Sequence, residues 1–298
     1  MYDAAPTPGQ LDALSTLFAS GSVAVLTGAG LSTESGIPDY RGPLAAQRVR
    51  KPIQYQEFLK SAPARQRYWA RSMFGWPRFA AARPNAGHTV LREFEAAGLL
   101  SGIITQNVDG LHAAAGSDRA LELHGALRET ICLECGLLIE RSELQLELER
   151  HNRALIAEGA RLAPDGDADL DDERIAAFAP VDCACGGRLK PNVVFFGENV
   201  PRARVQRAFA IVERARALVV IGSSLTVYSG LRFVRAAAER ALPIAIITLG
   251  PTRADGLAGL RISAGAGVTL SALRAVMAAV PAAVARDSAG SFDPARSE

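Results

Sequence analysis

The four cysteines of this chain fall in two tight pairs, Cys132-Leu-Glu-Cys135 and Cys183-Ala-Cys185, the second followed by Gly186-Gly187. Two close thiol pairs with none left over match the ligand set of a closed tetrahedral zinc site. Each pair can turn both sulfurs towards one ion, and the residues between the pairs then become a module pinned at its base. Two disulfides or four unrelated buried thiols are the competing readings. A disulfide within Cys-x-x-Cys is strained or redox-active, and nothing in the sequence points to an oxidising compartment. An ion with four protein ligands keeps no open position, so the spacing predicts one structural zinc. The chemistry has to lie elsewhere.

At 298 residues the chain can bury a large core in one or two domains. Its 33 basic and 31 acidic residues nearly cancel, which gives no electrostatic reason to expect nucleic acid as a partner. Met1-Tyr-Asp-Ala-Ala-Pro has neither a basic nor an apolar signal region, and the longest apolar stretches fall far short of the ~20 residues that span a bilayer. The expectation is a cytoplasmic protein, without membrane attachment and monomeric.

Short apolar runs bounded by turn residues read as strands at Ser22–Thr27, Gly102–Thr105, Ala217–Ile221 and Ile244–Leu249. Helix-period segments alternate with them at Gly9–Ala19, His88–Ala97, Pro201–Arg216 and Ser229–Leu242, with Pro201 as the first residue of its helix. Strands apolar throughout and separated by helices predict an α/β fold with a doubly wound, Rossmann-type parallel sheet. Two stretches break the rhythm. Residues 42–83 are aromatic, basic and helical in pattern, and residues 130–189 carry the cysteines. Within the latter, Ser142-Glu-Leu-Gln145 resembles a capping box opening a helix to about Glu158, and Ala163–Asp172 reads as a loop. This predicts a discontinuous nucleotide-binding domain (1–41, 84–129 and 190–285) and a smaller domain made of the helical and zinc modules. Residues 286–298 read as a disordered tail.

The first strand runs into Gly28-Ala29-Gly30-Leu-Ser32. A glycine pair at a strand end lets backbone approach a pyrophosphate and leaves amide donors to hold it. The third glycine of the dinucleotide fingerprint is missing. About 20 residues on, Arg48, Arg50 and Lys51 stand where a dehydrogenase would place a ribose-binding acid. Hydride transfer is therefore disfavoured, and a plain tight turn would look the same.

The continuation completes Gly-Ala-Gly-x-Ser-x-x-Ser-Gly-Ile37-Pro-Asp39-Tyr40-Arg41. With Thr105-Gln-Asn-Val-Asp-Gly-Leu-His112, Glu122-Leu-His-Gly125, the cysteine pairs, Leu189-Lys-Pro-Asn-Val-Val-Phe-Phe-Gly-Glu198, Gly222-Ser-Ser-Leu225 and Gly250-Pro-Thr252, it resembles the sirtuins, NAD-dependent protein-lysine deacylases. The resemblance covers roughly residues 10–280.

The residues themselves agree with that logic. His124 follows an apolar turn, and an unperturbed imidazole titrates near neutral pH, which suits a general base. His112 reads as a satisfied structural residue, His151 as solvated and His88 as part of a helix start. Gln106, Asn107, Val108 and Asp109 lie past a buried strand, where α/β folds place ligand-binding groups, although Asp109 also suits a helix cap. The resemblance implies that Asn107 and Asp109 join His124 as catalytic residues, with Ile37 holding the carboxamide of NAD. It implies further NAD contacts from Gly28, Ala29, Gly30, Ser32, Asp39, Tyr40, Arg41, Gln106, Val108, Gly222, Ser223, Ser224, Thr248, Leu249, Gly250 and Ala266.

The substrate side follows from the same comparison. Val193, Val194, Phe196, Gly197 and Glu198 would form a sheet edge on which an acylated-lysine peptide adds as a strand. The implied reaction is attack of the acyl oxygen on C1′ of the nicotinamide ribose, release of nicotinamide, and departure of the acyl group on ADP-ribose with His124 as base. Tyr68 and Arg71, with Asp-Tyr-Arg at 39–41, resemble the class II sirtuins. That group acts on longer acyl chains and is credited with mono-ADP-ribosyl transfer. A Tyr-x-x-Arg pair would suit an acidic acyl group, and an amphipathic helix face would carry the same residues. Protein ADP-ribosylation, or a non-catalytic NAD or ADP-ribose sensor, are the alternative functions. Two departures from the family stand out. Cys183-x-Cys185 is one residue shorter than usual, so Cys183 has to reach from a shifted turn. Thr248 replaces an asparagine that contacts the adenosine ribose.

Overall fold

Strands apolar on both faces are stable only inside a sheet covered on both sides, and the four apolar runs lie there. The computed structural model describes residues 5–38, 52–157, 161–162 and 168–279. In chain order, helix α1 (Pro8–Ala19) leads into strand β1 (Val23–Thr27). Then come α2 (Tyr55–Lys60), α3 (Ala62–Ala81), α4 (Ala86–Ala96), β2 (Leu100–Thr105), α5 (Leu111–Ala114) and β3 (Ala120–Glu122). The middle of the chain forms β4 (Gly125–Cys132), β5 (Leu138–Glu140), α6 (Arg141–His151), α7 (Arg153–Ala157), β6 (Arg161–Leu162), β7 (Ala168–Asp169), α8 (Asp172–Ala177) and β8 (Leu189–Val193). The last part adds α9 (Arg202–Glu213), β9 (Ala217–Ile221), α10 (Tyr228–Glu239), β10 (Ile244–Ile247), β11 (Leu260–Ile262) and α11 (Ala266–Ala279).

Six strands form one sheet in the order β11-β10-β9-β1-β2-β3, and every neighbouring pair is parallel. Numbered within the sheet, that is the 3-2-1-4-5-6 order of a doubly wound fold, and the strand order reverses between β1 and β9. The two-residue period of a strand sorts β1 cleanly. Val23 and Val25 join a core with Leu14, Phe18, Val90, Leu91 and Leu270 on one face, and Ala24 and Leu26 join Ile211, Val212, Phe233 and Val234 on the other. Each fully buried aliphatic side chain contributes about 1.5–3 kcal/mol, so a charge anywhere in β1 would be untenable.

A second, antiparallel sheet has the order β5-β4-β8. Beside it a third core gathers Trp69, Ala70 and Met73 of α3 with Cys132, Leu144, Leu148, Phe178, Cys183 and Leu189. The Trp69 indole donates to the carbonyl of Leu189 at 3.1 Å, tying α3 to the cysteine-bearing strands. The buried guanidinium of Arg141 lies 4.9 Å from the centre of the Trp76 ring and donates to the Ser72 carbonyl. Burial lowers its pKa to about 10.

Four local expectations need correction. Pro201 is the N-cap of α9 rather than its first residue, with extended ψ of 132°. The capping box at Ser142 does not form. The strand β5 runs straight into α6 through Glu140, which makes no side-chain cap. The predicted long helix breaks at Asn152, whose side chain donates back to Leu148 O and also bridges to Ala179, donating to its O and accepting from its N. Of the loop expected over Ala163–Asp172, the part from Ala168 is structured: β7 pairs antiparallel with β6, and Asp171 caps α8 by accepting from Arg174 N at 2.8 Å. Residues 163–167, the tail from 286 and the segment 39–51 with Asp39, Tyr40, Arg41, Arg48, Arg50 and Lys51 lie outside the described residues.

Candidate active site

Ligands of doubly wound sheets bind beyond the carboxyl ends of the strands where the order reverses, and two turns meet there. The turn after β1 (Gly28, Ala29, Gly30) packs backbone on backbone against Gly222 and Ser223 after β9. A Cβ on Gly28 would lie 2.7 Å from Ser223 Cβ, and one on Gly30 2.9 Å from Gly222 Cα. Gly222 is itself left-handed at φ +64°, so three glycines are required by sterics. The expectation of free donors at this pair does not hold as stated. Gly28 N donates to Ile221 O (2.9 Å) and Gly30 N to Gly222 O (2.8 Å), so the glycines serve close approach instead.

Beyond β1 and β2 a polar network fills the crevice. The buried Asn107 amide donates to Gly28 O (3.1 Å) and Ser32 Oγ (3.0 Å), and Ser32 Oγ donates to Asp109 Oδ2 (2.7 Å). Asp109 Oδ1 also accepts from Leu111 N (2.9 Å), so one carboxylate serves both the start of α5 and the crevice network. Burial raises the Asp109 pKa, against the hydrogen bonds from Leu111 and Ser32. Ile37 is half-buried at the end of the same loop, its N–H on Ser32 O. Val108 O accepts from Leu127 N at 2.9 Å.

His124 sits just before β4, held at both ring nitrogens. Nδ1 lies 2.9 Å from the carbonyl oxygen of Gln106 and Nε2 2.8 Å from Ser229 Oγ. A carbonyl only accepts, so Nδ1 carries the proton and Nε2 holds the lone pair. Burial lowers the pKa of His124, helped by the charges of Arg232 and Arg204, and the Gln106 carbonyl opposes this. The imidazole is therefore neutral at pH 7 and fit to accept a proton at Nε2. Gln106 is fixed in turn, its Oε1 accepting from Ser223 Oγ at 2.6 Å. Ser224 Oγ lies 3.0 Å from Thr226 Oγ1. Thr248 is buried past β10 beside exposed Leu249 and left-handed Gly250, and Ala266 begins α11.

His88 and His151 stand as the sequence suggests, whereas His112 is only half satisfied, its Nδ1 buried with no hydrogen-bond partner among the described residues. His88 closes a capping box with Asn85 at the start of α4, and His151 is exposed on α6. His112 is buried, its Nε2 3.0 Å from Thr27 Oγ1, and its ring meets that of His88 edge-on with centroids 5.1 Å apart. Burial lowers His88 to about 4 and His112 to about 3.

Val193 ends β8, the edge strand of the small sheet, and Val194 N donates to His124 O at 2.8 Å. The edge does not continue as an extended strand. Gly197 is left-handed at φ +79°, Glu198 N turns back to Phe195 O, and Phe196 O accepts from Tyr55 N. A residue missed in the sequence fixes this turn. Buried Lys190 pairs with Glu198 at 3.0 Å and donates to Val193 O, while Glu198 accepts from Phe195 N. A lone lysine in an apolar run was the available signal. Burial lowers its pKa against the pull of Glu198. Tyr68 packs edge-on against Phe195 (5.5 Å between ring centres), which brings α3 to this segment, and Arg71 lies half-buried one turn along.

The four cysteine sulfurs converge within 4.8 Å of one another. Cys132 and Cys185 sulfurs are 3.6 Å apart and those of Cys135 and Cys183 3.8 Å. A tetrahedron with Zn–S bonds of about 2.3 Å has edges of about 3.8 Å, so the set fits zinc. Cys183 reaches the cluster despite the shortened pair because Gly186 N turns back onto Cys183 O and Cys183 N onto Gly187 O. Four thiolates this close need a cation. Backbone amides bring Cys132 to about 7, whereas its thiol neighbours push Cys185 up to about 12. Zinc would neutralise that repulsion and hold the module together.

Comparison with known proteins agrees with this geometry. Residues 28–229 match the Sir2 family. NAD-dependent protein deacetylase 1 of Streptomyces coelicolor is 51% identical over 270 residues, 90% of each chain. NAD-dependent protein lipoamidase sirtuin-4, mitochondrial, of Homo sapiens is 49% identical over 250 residues, 83% of this chain and 80% of that one. A solved structure of Sir2 with a p53 peptide and NAD+ superposes with a TM-score of 0.69 at 29% identity, over 90% of this chain and 97% of that one. The glycine turns, the His124 crevice and the four-sulfur cluster thus stand on the sheet of a known lineage: the chain belongs to the Sir2 family.

Proposed function

We propose that this chain is an NAD-dependent protein-lysine deacylase, which moves the acyl group of a modified lysine onto ADP-ribose and releases nicotinamide. One observation carries the reading. His124 presents an unprotonated Nε2 at the point where the sheet order reverses, beside the Asn107–Ser32–Asp109 network. NAD, as co-substrate, supplies the electrophilic ribose carbon. The protein's own groups do the rest. The glycine turns and Ser223 receive the dinucleotide, Asn107 and Asp109 orient the nicotinamide end, and His124 accepts a proton from a ribose hydroxyl. Intact Asn107, Asp109 and His124 argue against a non-catalytic sensor.

On the substrate side, the β8 edge at Val193 and Val194 would take the peptide backbone. The fixed turn at Phe196–Glu198 would close the peptide's path rather than extend it. The name of the human relative and the aromatic contact of Tyr68 with Phe195 support an acyl pocket on the α3 side. We place its action on protein substrates in the cytoplasm; among the described residues no helix is long and apolar enough to cross a membrane. The test is nicotinamide release. With NAD present, adding an acetyl- or longer acyl-lysine peptide should start it. An NAD or ADP-ribose sensor would bind and release none.

A further inference from the structure

Ser229 is the second residue of α10 and is 8% exposed. A serine in a first helical turn ordinarily serves the helix's own amides. Here the N-cap is Val227, with no side-chain cap, and the Ser229 hydroxyl reaches across 105 residues of sequence to His124 Nε2. Because the Gln106 carbonyl fixes the proton on Nδ1, Ser229 is the donor in this bond. Its hydroxyl rests on the lone pair that a base must use.

The clamp has a closed frame. Gln106 holds Nδ1 with its carbonyl, and its side-chain amide packs directly under Gly230, next in sequence to Ser229. A Cβ on Gly230 would lie 2.7 Å from Gln106 Cδ. Gln106 Oε1 is bonded to Ser223 in the turn after β9. The two groups that hold the imidazole are thus held against each other, and both are tied to a glycine turn of the cofactor crevice. The charged groups facing His124 are Arg232, one turn along α10, and Arg204 of α9. Arg232 is kept in place over the Tyr228 ring, 5.4 Å from its centre.

We propose that Ser229 is a positioning residue for the reaction: its hydroxyl donates to His124 Nε2, fixing the ring plane and the Nδ1–H tautomer until a substrate hydroxyl takes over that lone pair. The proposal rests on His124 being the base. Only the neutral imidazole can accept this bond at Nε2, so removing the donor weakens the neutral form and raises the proton affinity of His124.

The test combines 15N NMR of histidine-labelled protein without ligands and the pH dependence of kcat/KM for wild type, Ser229→Ala and Ser229→Thr. In the wild type at pH 8 the His124 signals should show protonated Nδ1 and bare Nε2. Ser229→Ala should shift the His124 titration, and the acid limb of kcat/KM with it, upwards by roughly 0.5–1 pH unit. It should also lower kcat/KM near pH 7 by ~3- to 10-fold. Ser229→Thr keeps a hydroxyl and should restore both readouts to within about 2-fold. An Nε2–H tautomer in the wild type, an unmoved titration in Ser229→Ala, or an activity loss without a titration shift overturns the proposal. If the NMR shifts occur but His124→Ala remains active, the Ser229–His124 bond stands, while the assignment of the base fails and the role of Ser229 in the reaction with it.

Discussion

His124 and Cys132 flank the same strand: one immediately precedes β4 and the other ends it. Both ends are paired to β8, Gly125 with Val193 and Cys132 with Leu189. Along β8 the two pairings lie four residues apart, about 13 Å of strand, because β4 is irregular in register between Gly125 and Thr130. At one end a neutral imidazole is held by two hydrogen bonds and needs nothing more to keep its place. At the other, four sulfurs within 4.8 Å of one another cannot all ionise unless a cation joins them. The comparison teaches a division of labour within one ladder: the metal end secures the register that the reactive end uses.

The division breaks most visibly at the reactive end. His124→Ala should lose acyl transfer by roughly 100- to 10,000-fold, the usual contribution of a general base, with melting temperature and zinc content unchanged. Near wild-type loss of the acyl mass would sink the mechanism. At the metal end, elemental analysis should find about one zinc per chain, and a strong chelator should lower the melting temperature by ~10 °C or more. Cys183→Ser should do likewise. Full zinc content and stability in that variant would show that the shortened pair does not ligate.

Acid sharpens the contrast between held and buried histidines. His88 and His112 have folded pKa values of about 4 and about 3, below the ordinary 6.5, so the fold excludes protons that the unfolded chain binds. Their contribution to stability is complete above pH 6.5 and is lost progressively as pH falls towards 4 and 3. At pH 5 that loss is about 2 kcal/mol per histidine, one pH unit being about 1.4 kcal/mol. Urea unfolding at pH 7.5, 6 and 5 should show it, and a flat profile would refute the account. The smallest effect concerns Thr248. If position 248 faces the adenosine ribose, as the sirtuin resemblance implies, Thr248→Asn should lower KM for NAD by ~2- to 5-fold with kcat unchanged.

Much of this was legible in the sequence because it is encoded locally. Val23–Thr27 and Ala217–Ile221 are apolar on both faces, and nothing but a covered strand accommodates that pattern. Cysteine spacing announced the metal cluster, and the ordered motifs singled out His124. What escaped depends on partners distant in the chain. Ser229 looks like an ordinary helix-start serine until His124 arrives from 105 residues away. Lys190 looks anomalous in an apolar strand until Glu198 turns back to meet it. The helix over Ser142–Glu158 has unbroken local propensity, and Asn152 interrupts it for the backbone of Ala179. The glycines of the β1 turn read as phosphate donors, whereas their amides answer to Ile221 and Gly222 on another strand.

A mass balance on the unmodified enzyme tests the central claim most directly. Acyl-lysine peptide and NAD are mixed with the protein, and peptide, nicotinamide and ADP-ribose products are weighed by mass spectrometry over time. The account predicts one nicotinamide for each lysine unmasked, with the acyl mass carried on ADP-ribose and no peptide product when NAD is omitted. Acyl loss without NAD, or nicotinamide release that leaves the acyl group in place and puts ADP-ribose on protein, would contradict it.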